Sequence, residues 1–354
     1  MRGLFYVDKN RIAIWDNYKC ILILGVVLGH MYARFDELDN VKRLILFIYS
    51  FHMPAFVFVS GLFAKKTIRE KRWDKVIGFF LLFLLAKVGR YSYPSITSGE
   101  NKFVFWNMND VTWYAFAMFV FCLFTILLTV ACKHANAAFV LVISIVVSVL
   151  AGFVDRFGTF LSLSRIFAFY PFFYLGYVLE AKQVQQFVSK KWVKAASVFF
   201  LLAVVLLLFV RLEDCYRFLY VFKSKTPYSK WKCEGMMPVA MRLFWYVYAS
   251  IFSLAVLALT PVKQSILTTI GSRTMTIYSW HYLLMFLFYS SLHGEDIIKK
   301  VLPAHYLVLV FAVSVLITGI LAWKPFSMIT ERIVYPHWIH RLFEKGKNAT
   351  YERS

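Results

Sequence analysis

From Ile12 to Ala33 the chain reads IAIWDNYKCILILGVVLGHMYA, an apolar run with an acid, a base and an imidazole inside it. A helix of about 20 residues is long enough to cross the ~30 Å hydrocarbon core of a bilayer. Nine similar runs follow, near residues 44–64, 75–91, 111–131, 137–154, 161–180, 194–211, 238–260, 270–291 and 304–323. Across 354 residues, 60% are hydrophobic and only 17% charged, with a mean hydropathy of +0.63. Soluble domains carry about a quarter charged residues, and disordered chains are poor in apolar ones, so both classes are excluded. The sequence predicts an all-α, polytopic membrane protein with about ten transmembrane helices. One integral membrane domain is expected over residues 1–354, with its core at about 11–323 and a tail at 324–354.

The formal charge is +21. In a soluble protein this would raise the question of nucleic acid, but here the basic residues sit in short connections, where they orient spans against anionic lipid. No nucleic-acid motif accompanies them, and no such partner is expected. With the amino terminus inside, the inner segments hold 22 Lys and Arg and the outer ones 16, seven of these in the single connection Arg211–Arg242. Both termini are therefore expected in the cytoplasm, with the chain multi-pass in the inner or plasma membrane. Cys215 and Cys233 share that long outer connection, where a disulfide would persist if formed; two unrelated thiols are the other reading. Oligomeric state is not legible.

Ionisable side chains at membrane depth are costly and are usually kept to face a wet cavity or a partner. On a helix, Lys19 and His30 are eleven positions apart and differ by about 20°, and Asp16 and His30 differ by about 40°. All three share one face, with His30 about 16 Å from Lys19 along the axis. The competing reading makes Asp16 and Lys19 an interfacial pair snorkelling to headgroups. In the second run, Phe51-His52-Met53-Pro54 precedes Ser60-Gly61; Pro54 has no N–H for the carbonyl of Ser50, which suits a cavity wall or, alternatively, a simple kink. Next comes Lys65-Lys66-Thr67-Ile68-Arg69-Glu70-Lys71-Arg72. Three positions apart, Arg69 and Arg72 are expected to be helical neighbours whose paired guanidinium groups suit a polyphosphate, unless the stretch serves topology alone. Tyr278 and His281 lie three apart inside the ninth run.

These motifs together resemble the acyltransferase 3 family of integral membrane acyltransferases, closest to the branch described as fucose 4-O-acetylase-like. The resemblance is carried by Arg11 to Lys19 leading to Gly29-His30, by Phe51-His52-Met53-Pro54 with Ser60-Gly61, by Arg69-x-x-Arg72, by Trp113-Tyr114, by Phe172 to Gly176, and by Gly271-Ser272-Arg273 to His281. It implies an O-acyltransferase that moves an acyl group, most often acetyl from acetyl-CoA, to a hydroxyl of a carbohydrate or lipid-linked glycan. It also implies a catalytic His30 with Lys19, and a role for Arg69 and Arg72 on the CoA side. No metal is expected.

A sugar hydroxyl attacks well only as its proton is removed, and imidazole is the usual base. His30 is the expected base, with Asp16 and Lys19 holding the donor and His52 orienting the acceptor or stabilising the oxyanion. His281, Tyr278 and Trp113 are candidates for holding substrate. A transporter or flippase for a lipid-linked glycan or small solute is the alternative, though no inverted repeat is visible.

Overall fold

The computed structural model describes residues 12–98, 105–108, 110–301, 305–336 and 339. Helices dominate, and among the described residues the only β pairing is an isolated bridge between Asn107 and Phe160. The chain runs through α1 (Ala13–Tyr32), α2 (Asp39–Arg69), α3 (Trp73–Ser98), α4 (Trp113–Ala131), α5 (Ala137–Ala151) and α6 (Leu163–Val178). After the short α7 (Ala181–Val188) come α8 (Lys191–Val210), α9 (Leu212–Tyr216), α10 (Leu219–Lys223) and α11 (Met237–Ala258). The rest is α12 (Ile266–Gly271), α13 (Thr274–Phe286), α14 (Gly294–Val301), α15 (Tyr306–Leu321) and α16 (Lys324–Val334). Each expected apolar run falls on one or more of these helices.

By length and composition α2, α4, α8 and α11 suffice to cross a membrane, and α15 with α16, bent by 63°, reaches the same standard as a pair. The others are shorter, broken or interrupted by polar residues, as α1 is by Asp16, Asn17 and Lys19. Phe199, Leu202 and Leu206 of α8 are exposed, an apolar face that suits lipid. Of the most apolar stretch of α2, 72% is buried, against 22% for α8. The helix bearing His52 is therefore central.

Its seam with α6 is made by two glycines. A Cβ on Gly61 would meet the carbonyl of Phe173, and one on Gly176 would meet the carbonyl of Phe58. Without side chains there, the backbones approach closely, as at other helix contacts in membranes. Gly271 does the same for α12 against the carbonyl of Asp16. Asn17 fastens this end: its amide donates to the carbonyls of Pro261 and Lys263 at 2.7 and 2.9 Å, and it accepts from Thr268 Oγ1 at 2.6 Å.

Two expectations change. Arg69 and Arg72 are not neighbours on a helix, because α2 stops at Arg69. Lys71 is left-handed (φ 49°), and the N–H groups of Lys71 and Arg72 donate to the carbonyls of Ile68 and Thr67, a Schellman-type ending. The ninth run is not one helix: α12 and α13 are separated at Ser272-Arg273, and five residues of π-helix, Leu287–Ser291, follow. The packed body extends past residue 323, since α16 bonds to α13 through Thr330 and Trp280 Nε1 at 3.0 Å, and Tyr335 fills the space beside Gly78. Cys215 and Cys233 are free thiols. The residues from 340 onward lie outside those described.

Candidate functional site

Asp16 is buried, and its carboxylate lies 2.7 Å from the Lys19 ammonium. Lys19 reaches a cavity of about 310 Å³ between α1, α2, α3, α4 and α13, with Thr67 and Lys75 also in its wall. Lys75 stands 3.6 Å over the ring of Tyr335. At the other end of α1, His30 lines a second cavity of about 220 Å³ together with His52, Tyr49 and Trp113.

Phe56, Tyr114 and Tyr278 belong to the walls of both cavities. The rings of Phe56 and Tyr114 are 5.4 Å apart, as are those of Tyr114 and Tyr278. Ser60 Oγ donates to the carbonyl of Phe56 at 2.7 Å, so Tyr114 O–H donates to Ser60 Oγ at 2.6 Å. Tyr278 O–H donates to the carbonyl of Val111 at 2.7 Å and accepts from the N–H of Ala115 at 3.2 Å. One layer of three aromatic rings, two of them hydrogen-bonded tyrosines, therefore separates the two cavities.

Backbone carbonyls fix two imidazole tautomers. A carbonyl only accepts, so His52 Nδ1, 2.7 Å from the carbonyl of Ile48, carries its hydrogen and leaves Nε2 as a lone pair. His281 Nδ1 lies 2.8 and 3.1 Å from the carbonyls of Tyr278 and Ile277, with the same result. His281 Nε2 is buried without a hydrogen-bond partner. His281 is not in the wall of either cavity; it stands behind His30, ring centroids 5.6 Å apart. Among the described residues His30 makes no hydrogen bond, so either ring nitrogen is available.

Of the other expected site residues, Trp113 and Tyr278 line the His30 cavity, whereas Arg69 and Arg72 line neither. Arg69 is exposed. Arg72 closes its fork on Asp74 at 3.0 and 2.8 Å, which holds the Asp74 carboxyl below its ordinary value.

Sequence reasoning missed Tyr49, Asp110, Arg165, Lys223 and Lys225, all in the His30 cavity. Arg165 carried a signal, being a charge inside the apolar run 161–180. Its Nε and Nη1 donate to the carbonyls of Lys223 and Met108, both at 3.2 Å. Asp110 accepts from Tyr91 O–H at 2.7 Å, Thr112 O–H at 2.5 Å and Thr112 N–H at 3.0 Å, with Lys87 Nζ at 3.7 Å. Chemically, the site offers imidazole lone pairs and guanidinium and ammonium charge in a recess removed from bulk solvent.

The acyltransferase domain model of the acyltransferase 3 family matches residues 12–323. The match does not single out the fucose 4-O-acetylase-like branch. No curated protein and no solved structure matches the chain. The matched span takes in α1 to α15 and both cavities, so this chain belongs to the acyltransferase 3 family and is a membrane acyltransferase.

Proposed function

We propose that the protein moves an acetyl group from cytoplasmic acetyl-CoA to a hydroxyl of a cell-envelope or exported glycan, in the inner or plasma membrane, with both termini cytoplasmic. The observation that carries this reading is the pair of cavities meeting at Phe56, Tyr114 and Tyr278, with Lys19 on one side and His30 on the other. A nucleotide too charged to enter lipid stays at the Lys19 end, where Arg69, Arg72 and Lys19 are the groups for its phosphates. Asp16 holds Lys19 in place. The thin pantetheine arm passes the aromatic layer, which brings the thioester to His30.

There His30 takes the proton of the acceptor hydroxyl as its oxygen attacks the thioester carbon. A carbon–oxygen bond forms, the carbon–sulfur bond breaks, and the proton passes from His30 to the departing thiolate, giving an ester and CoA thiol. His52, its Nδ1 hydrogen fixed on Ile48, presents a lone pair; that suits orienting the hydroxyl better than stabilising an oxyanion. Trp113 and Tyr278 form walls for the substrate, and His281 supports His30 from behind.

The test is release of CoA thiol from acetyl-CoA by the purified protein in nanodiscs, with envelope glycan acetylation measured in cells that carry or lack the gene. His30→Gln should lower both by about 10²-fold or more while membrane protein level is retained. Undiminished thiol release would remove His30 from the chemistry, and substrate flux without thioester consumption would favour a carrier.

A further inference from the structure

The His30 cavity has a cationic wall. Arg165 projects from α6, and Lys223 and Lys225 come from the end of α10 and the turn after it. That turn is tied to α6: Ser224 is left-handed (φ 43°), Ser164 O–H donates to its carbonyl at 3.0 Å, and Arg165 Nε donates to the carbonyl of Lys223 at 3.2 Å. Arg165 is only 8% exposed. With Nε and Nη1 engaged on carbonyls, its Nη2 has no hydrogen-bond acceptor among the described residues. Neither lysine ammonium makes a hydrogen bond or ion pair among those residues; Lys223 lies 5.5 Å from the ring of Tyr49.

Among the described residues, the acids nearby do not balance this charge. Asp110, the one acid among the described lining residues, already accepts three hydrogen bonds and faces Lys87. Asp36 acts on Lys223 from a distance beyond an ion pair, and Arg165 and Lys223 themselves face Lys225. Burial pushes both lysine amines below their ordinary value. Holding three unpaired cations in a recess is costly unless an anion joins them. Orientation does not account for them either, since they lie at the opposite end from the basic stretch Lys65–Lys75, where the positive-inside rule asks for few.

We propose that the acceptor is acidic: a glycan bearing a carboxylate or phosphate that Arg165, Lys223 and Lys225 hold while a neighbouring hydroxyl is turned to His30. The proposal rests on the acyltransferase reading of this cavity. A neutral sugar would leave the cations unpaired, whereas an acidic one replaces their lost hydration with charge-assisted hydrogen bonds.

The test is equilibrium binding of three probes to the protein in nanodiscs without acyl donor: octyl glucuronide, octyl glucoside 6-phosphate and neutral octyl glucoside. One or both acidic probes should bind more tightly than the glucoside, and the preferred one reports carboxylate or phosphate. Lys223→Gln and Lys225→Gln, whose side chains hold no hydrogen bond among the described residues, should each weaken that probe by about tenfold and leave the glucoside unchanged. Equal binding of all three, or acidic binding untouched by both substitutions, overturns the proposal, as does loss of CoA binding in place of probe binding. Thiol release is measured separately. Charge-selective binding without any release would sink the acetyl-transfer reading and leave the acidic site standing.

Discussion

The imidazole of His281 stands directly behind that of His30, with ring centroids 5.6 Å apart and planes tilted by 33°. Since His281 donates Nδ1–H to two backbone carbonyls, its buried Nε2 lone pair is fixed in place. His30→Gln should lower turnover by about 10²–10⁴-fold, the usual contribution of a general base. His281→Gln should cost about 10-fold, because it disturbs the ring rather than removing it. Thiol release with immunoblotted membrane protein checks both, and a larger loss at His281 would exchange their roles.

Tyr114 is the middle one of the three rings between the cavities. Tyr114→Phe removes the bond to Ser60 and should cost about 1 kcal/mol of thermal stability while transfer continues. Tyr114→Ala should join the cavities and raise acceptor-independent hydrolysis of acetyl-CoA, read as thiol release without glycan. No rise in hydrolysis would show that the layer does not guard the thioester.

Gly176 and Gly61 hold α2 against α6. A valine at position 176 has to displace the carbonyl of Phe58, and overpacking of this kind costs about 1–3 kcal/mol. Gly176→Val should lower the unfolding midpoint in detergent and the folded yield, with a parallel loss of activity. Gly235 has open space around a position at φ 55°, so Gly235→Asn, which tolerates that conformation, serves as the neutral control.

Arg72 is engaged by Asp74 at 3.0 and 2.8 Å, in the turn that leads into α3. If this fork is shared with the donor's phosphates, Arg72→Ala should raise KM for acetyl-CoA about tenfold with kcat unchanged, and Asp74→Asn should lower KM by freeing the fork. Arg72 depresses the Asp74 carboxyl. The pair is therefore complete throughout and above the ordinary carboxyl range and loosens only as pH falls below that range. Between pH 5 and pH 8, KM should show no step from this pair; a step that vanishes in Asp74→Asn would contradict the assignment.

The all-helical fold was legible because it follows from apolar runs along single chain segments. Helical arithmetic put Asp16, Lys19 and His30 on one face, but that Lys19 and His30 line two separate cavities depends on the helices packed around α1. Arg165 was readable as a charge in an apolar run, yet its role depends on the carbonyls of Met108 and Lys223, which only the folded chain brings near. Lys223 and Lys225 looked like part of a basic surface connection; a left-handed Ser224 and a bond from Ser164 turn them inward, and no periodicity records that. The relation of Arg69 to Arg72 was misread because a lysine, not a glycine, occupies the left-handed position that ends α2.

The single sheet of rings formed by Phe56, Tyr114 and Tyr278 also has an electrical consequence. With water in the recess on either side, most of the transmembrane voltage would drop across a few ångströms at that point, about 2.3 kcal/mol per elementary charge for each 100 mV. Any step that carries net charge past those rings would then run at a rate set by the energised state of the cell.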